Sequence, residues 1–180
     1  MLVSGFRNFY GMDAVKKSTQ SINGVVDSVR IIQQNEDHPL DNLSLNFYLT
    51  QKIGKTGKLS LNLDYNDYNN DNVIQYFTQH YKENGQFLSQ DSMRSSMFTP
   101  ISIKVATLDY SQKIAKNTEM ETGFKITQSV FDNTVLIERM IGGNWHKYPE
   151  YSNYNHLVES ILAGYVSVNM LFSEKTSAKI

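Results

Sequence analysis

The chain has 180 residues, enough for one domain with a sizeable core and too few for two comfortable ones. A formal net charge of -1, with no basic cluster interleaved with aromatics, excludes a nucleic-acid partner. The absence of cysteine excludes a disulfide framework and a thiolate zinc site, while 11 Tyr, abundant asparagine and only 3 Pro favour alternating β structure over helix.

No run of about 18 apolar residues is present to form a transmembrane helix, but a membrane β-strand needs only about 9 to 11 residues with every second one apolar. The opening "MLVSGFRNFYGMDAVKK" lacks the charged start, apolar run and small-residue cleavage site of a secretory signal, so an exported protein would begin upstream of it. Residues 1–40 read as an outer loop or strand end, with His38 in a loop before Pro39. Residues 41–180 read as the strand-bearing part of one domain that covers the whole chain, 1–180.

The stretch "DNLSLNFYLTQ" from Asp41 puts Leu43, Leu45, Phe47 and Leu49 on one face and Ser44, Asn46, Tyr48 and Thr50 on the other. A tight turn, "KIGKTGK", leads into Leu59, Leu61, Leu63 and Tyr65, opposed by Ser60, Asn62, Asp64 and Asn66. The spacing predicts a hairpin, residues 43–50 against 59–66.

Asp67, Asn69 and Asp71 then fall at the first, third and fifth places of an EF-hand loop. The pattern stops there, because its glycine and bidentate glutamate positions hold Asn72 and Thr78. The stretch reads instead as a strand leaving an apolar environment, with Tyr65 and Tyr68 at the interface and "NNDN" opening an outer loop.

Residues 69–100 read as a long polar connection with a hairpin signal of its own at Asn84-Gly85. A strand over 101–110 follows, whose apolar phase changes from odd to even positions between Val105 and Leu108, which suggests a bulge. "QKIAKNTEMET" from Gln112 echoes the first turn and starts a strand with Met120, Thr122, Phe124 and Ile126 on one face, predicting 101–110 against 119–128. A second long connection, 131–156, carries Gly142-Gly143-Asn144, and a third short turn falls near 172–176.

A half-buried sheet in a soluble protein gives the same period of two. Alternating short turns with long ornate connections is the arrangement of outer-membrane barrels, with periplasmic turns short and extracellular loops long. On that reading the three short turns lie at one end of an antiparallel, up-and-down meander of about six or seven strands, all-β and part of a larger barrel.

The run "LSLNFYLTQKIGKTGKLSLNLDYNDYNNDN" resembles a strand pair of the TonB-dependent receptor-like outer-membrane β-barrel family of Bacteroidota. So does "ISIKVATLDYSQKIAKNTEMETGFKITQSVFDN", where the family has an "ADY" strand end, a short turn and an "EAGxK" strand. "NHLVESILAGYVSVNMLFSE" is similar to the family's "ENINAAYxN" strand, which follows a loop with a "GNW" element, here Gly143-Asn144-Trp145. The similarity covers most of residues 25–180 and is one of pattern and order.

The resemblance implies an outer-membrane barrel of about 22 strands around a plug, serving nutrient uptake. Its implied partners are outer-membrane lipid, an unknown small-molecule, glycan or peptide substrate, and the TonB complex, the last only through a plug. No plug-like region or TonB-contact segment is recognisable here, and the end "SAKI" is not an aromatic strand end, so the chain reads as a middle slice.

His38, His80, His146 and His156 lack the short spacings of a metal site and read as surface residues. Without a G-x-S-x-G elbow, P-loop or dinucleotide fingerprint, no enzyme and no cofactor are expected. Glu119 and Glu121 share a strand face, which in a barrel is the wet lumen. The loop aromatics Tyr76, Phe77, Tyr81, Trp145, Tyr148, Tyr151 and Tyr154 fit either a stacking site for a sugar or partner, with the first five excepting none as candidate contacts, or packing at the membrane interface, the preferred reading. Tyr65, Tyr68 and Tyr110 belong to the interface reading. The alternative to a membrane barrel is a secreted or cell-surface all-β domain that binds through its loops, and a lesser one is a barrel used for export or assembly; detergent dependence separates membrane barrel from secreted domain.

Overall fold

A computed structural model describes residues 1–180. Six long or medium strands and two short ones form a single sheet: β1 (Leu2–Ile22), β2 (Val25–Ile53), β3 (Gly57–Lys82), β4 (Phe87–Ala115), β5 (Thr118–Ile141), β6 (Asn144–Lys147), β7 (Asn153–Ser173) and β8 (Thr176–Lys179). A 3-10 turn, Pro149–Tyr151, precedes β7. Every pairing is antiparallel, in the order β1-β2-β3-β4-β5-β7-β8, with β6 paired to β5 beside this path. The sheet does not close, because β1 and β8 are not paired to each other. The expected all-β meander is therefore the fold, and the three short connections fall at one end: Thr56 Oγ1 donates to Lys113 O, and the Leu171 N–H donates to Asn117 O.

Residues 1–40 correct the reading of that region as an outer loop. They form β1, the Asn23-Gly24 turn and the first half of β2. Asn23 and Gly24 both have positive φ, 51° and 81°, the geometry a two-residue hairpin turn requires. His38 and Pro39 lie inside β2, where His38 Nε2 meets Asn70 Oδ1 at 2.5 Å. The two long connections are likewise strand for most of their length. β3 and β4 pair out to a turn holding Asn84-Gly85, and β5 continues to a turn at Gly142-Gly143, as those dipeptides suggested.

The first expected hairpin holds within one residue, Leu43 opposite Asp67 and Thr50 opposite Ser60. The second is offset by three residues, with Ile101 opposite Phe131 and Tyr110 opposite Thr122, because the turn is tighter and later than expected, at Lys116-Asn117 between Ala115 and Thr118. No bulge separates Val105 from Leu108. The alternation is continuous there, and the phase change means that Ile101, Ile103 and Val105 belong to one face of the sheet and Leu108 to the other.

Directly opposed residues share a face, so the register assigns both faces throughout. One carries the rows Phe47-Leu63-Ala106-Ile126-Leu162 and Leu49-Leu61-Leu108-Phe124-Gly164. The other carries Asn46-Asp64-Val105-Thr127-Ile161 and Tyr48-Asn62-Thr107-Lys125-Ala163. No hydrophobic residue is buried anywhere, and Phe47 (42%), Phe124 (61%) and Leu162 (74%) stand exposed on the first face. Across five strands spaced about 4.8 Å apart, these two rows form a belt that covers on the order of 300 Å². The sheet is single, with no second layer packed on it, so this apolar face is left open to its surroundings and suits a hydrocarbon medium.

The belt occupies only part of each strand. β2 and β4 have 29 residues each, whereas crossing a bilayer takes about 9 to 11. The apolar section lies next to the short turns, so roughly 60 Å of β2, at about 3.3 Å per residue, extends beyond it toward Asn23-Gly24. Tyr110, level with Leu59, and Tyr65 flank the belt on its own face, as the interface reading required. Tyr68 does not, because it pairs with Asn42 and Ile101 on the polar face.

Candidate functional site

Two surfaces have the chemistry to meet a ligand. The first is the polar face, where neutral amides and hydroxyls pair across strands. Asn46 Nδ2 donates to Asn62 Oδ1 at 2.8 Å and to Asp64 Oδ1 at 2.5 Å, and the Ser44 hydroxyl donates to Asn66 Oδ1 at 2.7 Å. Farther from the short turns, Lys16 Nζ donates to Gln34 Oε1 at 2.7 Å, and Asn72 Nδ2 donates to Glu36 Oε1 at 3.3 Å. The three buried polar residues, Gln34, Thr99 and Ser167, all belong to this face, which makes it the more enclosed side. Such a ladder fixes side-chain positions while leaving free donors and acceptors for water or solute.

Glu119 and Glu121 share this face, as their spacing suggested. Glu121 accepts from Lys179 Nζ and from the Tyr165 hydroxyl, both at 3.2 Å, so it is part of a local network. The polar face is interrupted by a row of apolar residues, Ile101, Phe131 and Leu157, which the odd-to-even change in the sequence had signalled.

The second surface is a groove of about 440 Å³ on the other face, well beyond the belt, lined by Asp13, Val15, Gln33, Asn35, Gln75, Phe77, Ser92 and Trp145. Asp13, Asn35 and Gln75 stand in one transverse row, and Val15, Gln33, Phe77 and Ser92 in the next. Ala14, Gln34 and Tyr76 have the opposite alternation, so they contribute main chain to its floor. Trp145 comes from β6, which the Gly142-Gly143 turn folds back along β5.

Arg94 holds this tryptophan. Its guanidinium carbon lies 4.6 Å from the Trp145 ring centroid, and its Nε donates to Glu138 on the adjacent strand. The hydrogen bond from Arg94 holds the Glu138 carboxyl below its usual range, and the same bond raises the guanidinium further.

Of the aromatics singled out in the sequence, the groove brings together Phe77 and Trp145. Tyr76 is next to Phe77 in sequence but its side chain belongs to the polar face, because a strand sends neighbours to opposite sides. Tyr81 lies apart, edge-on to Phe87 with centroids 5.8 Å apart, and Tyr148 stacks on Tyr151 at 4.9 Å. The amides Gln33, Asn35 and Gln75 were missed. Their signal was a long polar run without period, which a sequence reading takes for loop. Asp67, Asn69 and Asp71 sit at alternate positions of β3, an extended segment and not the folded loop of a calcium motif.

Residues 17–180 match the family described as outer membrane protein beta-barrel family. No curated protein matches the chain.

Proposed function

From the chain's membership of an outer membrane protein β-barrel family, which places it in the outer membrane, we propose that it forms a wall section of a TonB-dependent receptor-like barrel of the Bacteroidota type, taking up a nutrient. The observation that carries this reading is the pairing of an apolar belt on one face with an amide-rich, hydrogen-bonded wall on the other, in a sheet still open after seven strands along its path. A barrel of about 8 strands fills its interior with side chains, whereas larger ones enclose a channel or a plugged lumen. A wall face lined with hydrogen-bonded amides and hydroxyls suits such a water-filled or plugged lumen and supports the larger class.

On this reading the apolar belt contacts outer-membrane lipid. The polar wall lines the route of a glycan, a peptide or a metal chelate, without catalysis and without a bound cofactor. Energy coupling would reach the barrel through a plug held elsewhere in the full-length protein. Growth on single limiting nutrients tests the proposal. Deleting the gene should abolish growth on one such nutrient, and deleting TonB should abolish growth on the same one. Uptake that persists without TonB would reject the coupled-receptor reading.

A further inference from the structure

We propose that the groove between Phe77 and Trp145 is a carbohydrate-binding site on the outward face of the barrel, separate from any route through the lumen. It shares the face of Leu43 and Phe47, which register makes the lipid side within the belt. Gln33 lies roughly 33 Å along β2 from Leu43, at about 3.3 Å per residue, so the groove sits beyond the hydrocarbon on the side of the long hairpins. That side is extracellular in outer-membrane barrels. An outward face just outside an outer membrane is surrounded by the sugar chains of its glycolipids.

The lining suits a neutral, polyhydroxylated ring. Gln33, Asn35 and Gln75 each offer a donor and an acceptor in one plane, and Phe77 and Trp145 supply flat apolar surfaces against which sugar C–H groups pack. A volume of about 440 Å³ lies within the roughly 300–1,000 Å³ of small-molecule sites. Asn35 Nδ2 donates to Asp13 Oδ1 at 2.6 Å, and Arg94 is shared between Glu138 and the Trp145 ring, so the polar groups around the two rings are held by their neighbours. The amides meet hydroxyl groups and the rings meet C–H faces, the two kinds of surface that a sugar presents together. Trp145 is also held in place before binding, which lowers the entropic cost of ordering it.

Two sources supply this chemistry, surface glycolipid and free oligosaccharide. The test is calorimetric titration of the full-length protein refolded in phosphatidylcholine vesicles. One probe is the polysaccharide released by mild acid from the producing strain's lipopolysaccharide, and the other is maltohexaose. Saturable binding of at least one is expected, weakened about tenfold or more by Phe77→Ala and by Gln75→Ala, and unchanged by Tyr151→Ala, which lies outside the groove. Gln75 is an exposed amide, so its variant keeps the test informative if Phe77→Ala folds poorly. Binding of the released polysaccharide alone identifies the glycolipid source, and binding of maltohexaose identifies free oligosaccharide. No saturable binding of either probe, or an equal loss in Tyr151→Ala, would overturn the proposal.

Discussion

Tyr165 and Asp109 meet across a strand that lies between them. The Tyr165 hydroxyl on β7 donates to Asp109 Oδ1 on β4 at 2.9 Å, and the ring passes over Gly123 of β5. A Cβ at Gly123 would clash with Asp109 Oδ1 and lie 2.5 Å from the Tyr165 ring, so the contact exists only because position 123 has no side chain. On the opposite face the arrangement repeats with roles exchanged: the Phe124 ring covers Gly164, 3.3 Å from where its Cβ would stand. Aromatic cover of a strand glycine restores packing that the glycine itself cannot supply.

Gly123→Ala should therefore displace the Tyr165 ring and cost about 1–3 kcal/mol, the range for an overpacked site. Tyr165→Phe keeps the ring and loses the hydroxyl bonds, for a smaller cost of about 1 kcal/mol. Gly11→Ala is the control, since its Cβ would meet nothing closer than 3.4 Å. Denaturant unfolding of the full-length protein in lipid vesicles ranks the three. A Gly11→Ala variant as unstable as Gly123→Ala would contradict the packing described.

The clamp on Trp145 should loosen in acid. Glu138 is held below its ordinary value by Arg94, so the stabilisation it provides is fully present above that ordinary value and is lost as pH falls through the lowered one. Trp145 is the single tryptophan of the chain, and its fluorescence should change as pH drops below about 4, the ordinary glutamate range. Glu138→Gln should remove that transition while leaving the protein folded at neutral pH. An unchanged acid transition in Glu138→Gln would assign it to another group.

Amide hydrogen exchange should divide single strands in two. Backbone groups of β2 and β3 beside the belt, from Leu43 to Leu49 and Leu59 to Leu63, are shielded by hydrocarbon and should exchange slowly. Those near Asn23-Gly24 and Asn84-Gly85 should exchange faster, because their strands have water on both faces. Uniform protection along β2 would contradict a belt confined to the short-turn end.

This division explains what could be read in the sequence. Lipid on one side and water on the other force a period of two, and Leu43 to Leu49 and Leu59 to Leu63 displayed it plainly. Beyond the belt neither face must be apolar, so "VDSVRIIQQNEDHP" from Val26 and the run from Asn69 to Pro100 carry no alternation and read as loops, although both are strand. The Asn23-Gly24 turn was available as a signal, but the strands flanking it were not. The candidate site suffered for the same reason. Tyr76 and Phe77 looked like one aromatic cluster until the strand sent them to opposite faces, and Gln33, Asn35 and Gln75 aligned only once the register of β2 and β3 was known.

Which face of the sheet lies in lipid turns on two adjacent residues, Leu61 on the lipid side and Asn62 on the water side. Leu61 stands in the row Leu49-Leu61-Leu108-Phe124, and Asn62, one position on, hydrogen-bonds to Asn46 on the other side of the sheet. Unfolding free energies in lipid vesicles should show Leu61→Arg costing about 2–4 kcal/mol, the expense of a charge near the bilayer midplane, and Asn62→Arg costing far less. Equal costs for the two, or a larger one for Asn62→Arg, would contradict the account.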